Sequence, residues 1–145
     1  WWFPTYVTNI LTFSLFVAYH LLLELIIQRQ GWLLYLGNVL LPLGVPQQLL
    51  SALMSGLLSL GVLAALLLTR RYSLTSLLWI VLPIPFALSL LVYGLLGAPL
   101  YTALLLQAQS WAGAIGLLGT LGLVFSGVHI IAGSLSRPAD WRQLA

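Results

Sequence analysis

LLSALMSGLLSLGVLAALLLT, Leu49 to Thr69, carries no charge and no proline over its whole length and ends on Arg70-Arg71. A helix of about 20 apolar residues is what a bilayer core of about 30 Å requires. An outer-membrane type strand would alternate apolar and polar positions over about ten residues, and this run does not alternate. The stretch therefore reads as one membrane-spanning α-helix, and the rest of the chain is read outward from it.

Composition extends the reading to the whole chain. Of 145 residues, 61% are hydrophobic and 5% charged, whereas soluble domains average about 45–50% and about 25%. A chain this short must still show water a large surface, so lipid has to be the solvent. The expected fold class is an all-α integral membrane protein. Segments are marked at 5–28, 32–46, 49–69, 74–97 and 111–135, forming one transmembrane domain. "APLYTALLLQAQS", Ala98 to Ser110, reads as the lead into the last of them.

The segment at 32–46 is short. Fifteen residues reach about 22 Å, so it reads as a thin or kinked span, a re-entrant segment or an interfacial helix. Arginine placement chooses among these, because basic residues gather on the cytoplasmic side. With five crossings, the N-terminus outside and the C-terminus cytoplasmic, Arg29, Arg70, Arg71, Arg137 and Arg142 all lie inside. With four crossings Arg29 falls on the other side. Five crossings are therefore expected. Trp1, Trp2, Trp32, Trp111 and Trp141 fall near the boundaries, as an aromatic belt would, and Trp79 lies a turn inside. These features fit a bacterial inner membrane or an organelle or thylakoid membrane. No cleavable leader is recognisable.

Composition also excludes chemistry. There is no cysteine, so there are no disulfides or thiolate sites. There is no lysine, so no Schiff base. The net charge of +3 comes from arginines at span ends and is not a basic patch interleaved with aromatics, so no nucleic-acid partner is expected. No nucleophile elbow, HExxH, phosphate loop or carboxylate pair appears. Asp140 is isolated in the tail, near Arg137 and Arg142.

Two histidines remain to be explained. With five crossings the first and last helices run the same way. His20 then lies about 13 Å above Arg29 and His129 about 12 Å above Arg137, one depth for both. Two such rings can ligate a haem b iron from its two faces, or hold a pigment. Gly119, Gly122, Ser126, His129 and Gly133 share one seam of the last helix, which would let a cofactor plane or a neighbouring helix approach. The competing reading is that the seam packs helices and that His129 hydrogen-bonds a neighbour.

Helix one carries a polar stripe. Thr5, Asn9, Thr12, His20 and Glu24 project within roughly a 120° arc. Glu24 is the one carboxylate within a span, and intramembrane ionisable residues are functional candidates. It could relay protons with His20, hold a cationic or hydroxylated ligand, or pair with Arg29. Pro83 and Pro85 are expected to kink the fourth segment. "NVLLPLGVP" has a similar broken character, as helices lining transporter sites do. Ser51, Ser55 and Ser59, with Ala52 and Gly56, read as a packing face.

Two fragments carry a resemblance. "SGVHIIAG" resembles a stretch in subunit III of haem-copper oxidases, and "LLGAPLYTALLLQAQSWAGAI" is similar to a span of a small membrane subunit of respiratory complex I. Each covers a small fraction of the chain, and no residue role is carried over from either. Three functions are expected as alternatives. The first is a small, non-catalytic subunit of a larger membrane complex, of the respiratory or photosynthetic kind, with other membrane subunits and lipid as partners. The second is an electron-transfer subunit binding haem b or a pigment through His20 and His129. The third is a small transporter or lipid-binding protein using Glu24 and His20.

Overall fold

A computed structural model describes residues 5–31, 40–69, 73, 78, 82–106 and 110–136. Within them the elements are α1 (Tyr6–Arg29), a 3-10 turn (Pro42–Gly44), α2 (Gln47–Thr69), α3 (Pro83–Ser89), a π-helical stretch (Leu90–Leu96), α4 (Ala98–Leu105) and α5 (Ser110–Ser136). No strand occurs among the described residues. α1, α2 and α5 are each long and apolar enough to cross a membrane. The segment Pro83–Leu96 and α4 together make a fourth such unit, bent by 51° at its break.

Direction follows from contacts. Gln48 at the start of α2 donates to Gln28 at the end of α1 (3.3 Å), so the two helices are antiparallel. The third passage runs back along α2. Leu88 lies against Gly61, the Tyr93 hydroxyl bonds Ser55 (2.6 Å), and Tyr101 and Leu104 share a cleft with Gln47 and Leu50. α4 then turns onto α5, where Gly116 and Gly119 face Pro99. α5 runs with α2: Pro42 lies on Gly113, Leu57 on Gly127 and Ile131 on Gly61. The result is an up-down-up-down bundle with a broken third passage.

Against the five crossings expected, the described residues hold three helices of membrane length, or four with the bent pair. Of the linking residues 30–46, those described lie at the end of the bundle where α1 stops and α2 starts. Within them, Leu40–Pro46 form a tight turn rather than a helix, closed by Leu41 N–H to Val45 O (2.8 Å) and Gly44 N–H to Leu41 O (3.1 Å). Residues 32–39 lie outside the described residues. α1 and α5 consequently run in opposite directions, not the same one. The described residues show a bend further along the fourth segment, and residues 79–81, just before Pro83, lie outside them. Pro83 and Pro85 open α3, where proline costs little, and the bend falls at Gly97–Pro99. Pro99 cannot donate to the carbonyl four residues back. "APLYTALL" is helix α4, not a connector.

α2 is the hub. Leu50, Ala52, Met54, Gly56, Leu57, Leu60, Gly61 and Ala64 are buried around it. Phe13 of α1, Val92, Leu100 of α4, and Leu117, Val124 and Val128 of α5 complete the core. Outside, large apolar side chains stand exposed, Leu82 at 75% and Leu105 at 82% among them. A water-facing fold would hide many of these, and a lipid-facing one need not.

Close packing depends on absent side chains. A Cβ on Gly56 would stand 2.6 Å from Val17 Cγ2, and one on Gly116 would stand 2.6 Å from the Pro99 carbonyl oxygen. Membrane helices lack the hydrophobic drive that joins helices in water, so close backbone approach and interhelical hydrogen bonds carry more of the association. Both devices are used here.

Candidate functional site

The polar stripe of α1 is spent within α1 at its start and on neighbouring helices elsewhere. Thr5 caps α1, its hydroxyl accepting from Thr8 N–H (3.2 Å). Thr12 returns its hydroxyl to the Thr8 carbonyl (2.8 Å). Asn9, 2% exposed, donates from Nδ2 to the Ala132 carbonyl on α5 (3.1 Å). Lower down, His20 Nε2 and Ser59 Oγ share a hydrogen bond of 2.9 Å. Ser51 Oγ donates to Glu24 Oε1. With Gln48 to Gln28, these make a ladder down the α1–α2 interface. Ser51, Ser55 and Ser59, four residues apart, each serve a partner from outside α2. Among the described residues, no buried side-chain nitrogen or oxygen lacks a hydrogen-bond partner.

The two histidines do not meet. His129 Nδ1 bonds the Tyr6 hydroxyl (2.9 Å), with the rings edge to face at 5.6 Å. His20 is fourteen residues further along α1 than Tyr6, or about 21 Å, and helical tyrosines lean back toward the N-terminus. One iron needs both imidazoles on it. The shared haem or pigment site expected of His20 and His129 is therefore withdrawn: its premise was co-directional first and last helices. No group of three or more His, Cys, Asp or Glu able to hold a metal occurs among the described residues.

The seam on α5 also differs from expectation. Gly119, Gly122, Ser126 and His129 lie on the exposed side of the helix. Among the described residues, nothing stands within 4 Å of a Cβ added at Gly122 or Gly133. At about 100° per residue, this seam lies about 130° around the helix from the line of Gly113, Gly116, Thr120 and Gly127. That line packs within the chain; the seam does so at Gly119, which meets Pro99, and at His129, which meets Tyr6. The outer seam is a shallow groove between exposed Leu118 and Phe125 on one side and Leu123 and Ile130 on the other.

Sequence reading missed three residues that matter. Thr120, 0% exposed, accepts the Leu100 N–H (3.3 Å). That donor lies in the first turn of α4, where no intrahelical carbonyl is available, so α5 caps its neighbour. Tyr93 and Tyr101 line a cleft of about 560 Å³ at the end of the bundle where α2 begins, together with Gln47, Ser51 and Met54. A lone hydroxyl in the middle of the Trp111–Phe125 run was the available signal for Thr120. The two tyrosines within apolar sequence were the signal for the cleft.

Trp111 is exposed at the start of α5. Trp1, Trp2, Trp32, Trp79 and Trp141, like Asn38, Arg70, Arg71, Arg137, Asp140 and Arg142, lie outside the described residues. Comparison with protein-family models, with curated proteins and with solved structures gives no match. The two fragment resemblances therefore gain no support from them.

Proposed function

We propose that this chain is a non-catalytic subunit of a larger membrane complex, joined to a partner helix through the outer face of α5. The observation behind the reading is that groove: Gly122 and Gly133 have open space where a side chain would stand, and larger apolar residues flank them. Small residues between apolar ridges let a second helix come close. The ionisable residues of the described spans, His20, Glu24 and His129, are each engaged by a hydroxyl of this chain. An electron-transfer role built on the histidine pair is not carried forward.

The bundle's topology supports four crossings. With Arg70, Arg71, Arg137 and Arg142 cytoplasmic, the start of α1 is cytoplasmic too, and Arg29 lies on the far side. Because the chain has no native cysteine, a Gln30→Cys variant reports this directly. Labelling by an impermeant maleimide from outside is expected, and labelling from the cytoplasm alone supports five crossings instead.

For the partner, a photo-crosslinker on Ser126→Cys in native membranes should give one adduct of defined mass. The same label on Leu15→Cys, on the exposed side of α1, should give none. Adding Gly122→Leu should abolish the adduct. Lipid adducts alone at both positions would defeat the subunit reading.

A further inference from the structure

The cleft at the start of α2 has the size and lining of a ligand site. Its volume of about 560 Å³ lies within the range of about 300–1,000 Å³ typical of small-molecule sites. Its walls come from four parts of the chain: the Leu40–Pro42 turn, α2, the π-helical stretch and α4. Most of the wall is leucine with Met54, and against it stand four polar side chains: Gln47, Ser51, Tyr93 and Tyr101. Apolar walls with a few converging polar groups are what orient a bound molecule.

The polar groups decide its chemistry. Among the described residues lining the cleft none is charged, and Glu24, behind the wall, is already held by Ser51, so a charged head would lose its hydration there with no counter-ion on the wall itself. Ser51 already gives its proton to Glu24, which leaves its oxygen to accept. The Tyr93 hydroxyl is fixed by Ser55 (2.6 Å). The Gln47 amide and the phenol of Tyr101 can each donate or accept. Tyr101 is itself held in place. Its ring lies over Gly97, where an added Cβ would stand 2.5 Å from Cε2, so the absent side chain at the helix break seats the ring.

The geometry points to a binding site for a neutral amphiphile, hydrocarbon in body with a hydroxyl or carbonyl head, held by Tyr101, Gln47 and Ser51. This site is independent of the outer face of α5. It is tested on the full chain in detergent by native mass spectrometry. Dioleoylglycerol and decylubiquinone serve as neutral probes with hydroxyl and carbonyl heads. Dioleoyl phosphatidic acid and dioleoyl-trimethylammonium propane serve as charged counterparts.

One neutral molecule per chain is expected, bound at least tenfold tighter than either charged lipid; which neutral probe binds names the head. Leu104→Trp, at a half-exposed position on the rim (46%), should fill the cleft and abolish binding. Tyr101→Phe, which removes one oxygen, should weaken it about three- to tenfold, as loss of one hydrogen bond does. Equal binding of all four probes, or binding unchanged in both variants, overturns the site. Should Leu104→Trp fail to fold, the head-group comparison on the native chain and the Tyr101→Phe measurement each still decide.

Discussion

α5 carries glycine along two lines about 120° apart, and the two meet different surroundings. On the inner face a Cβ at Gly116 would stand 2.6 Å from the Pro99 carbonyl oxygen and 3.2 Å from the Leu100 Cα. On the outer face a Cβ at Gly122 meets nothing. The residue type is the same, and so is the helix. What differs is that backbone of this chain lies against one, while no described atom lies within 4 Å of a Cβ at the other. Small residues in a membrane helix mark where something approaches, and only the fold says whether that something is internal.

Substitutions can break this contrast one face at a time. The largest effect is expected at Gly116→Ala. The obstructing atoms are backbone, which cannot swing aside as a side-chain tip can, so α4 must move off α5. A loss of about 2–3 kcal/mol should appear as a lowered unfolding midpoint in detergent. Thr120→Val comes next. It keeps the shape and removes the acceptor for the Leu100 N–H, leaving a buried donor unpaired at about 1–3 kcal/mol. Ser59→Ala, away from α5, separates His20 from its partner. Interhelical hydrogen bonds of this kind average about 0.6 kcal/mol, so a shift near the limit of detection is expected. Gly122→Ala should be the smallest, within about 0.5 kcal/mol of native for the isolated chain. A clear loss of stability there, without a partner present, would show that the outer face is already occupied within the chain.

The sequence made the long passages plain and the broken ones obscure. The runs at 5–28, 49–69 and 111–135 correspond to α1, α2 and α5 within two residues at each end, because each is an uninterrupted apolar stretch of membrane length. Hydropathy has no direction, however. It could not show that residues 30–46 begin and end on one side, which the Gln28–Gln48 contact does show. Arginine placement favoured five crossings by the position of Arg29 alone, and tertiary contacts outweigh one residue. α4 escaped notice because eight residues are too few to span anything unaided. It forms by lying on α5, with Thr120 supplying its cap. The α5 seam is one of two lines of small residues, and spacing alone does not tell it from Gly113, Gly116, Thr120 and Gly127, the line that packs within the chain. The histidine pairing failed with the helix directions on which it rested, whereas the serines of α2 lie at helix interfaces where their four-residue spacing placed them.

The even number of passages carries one more consequence. Thr5 and Ser136 leave the bundle at the same end, the one at which α2 gives way to Arg70 and Arg71. A tag joined at either of these positions would therefore start from the same end of the bundle.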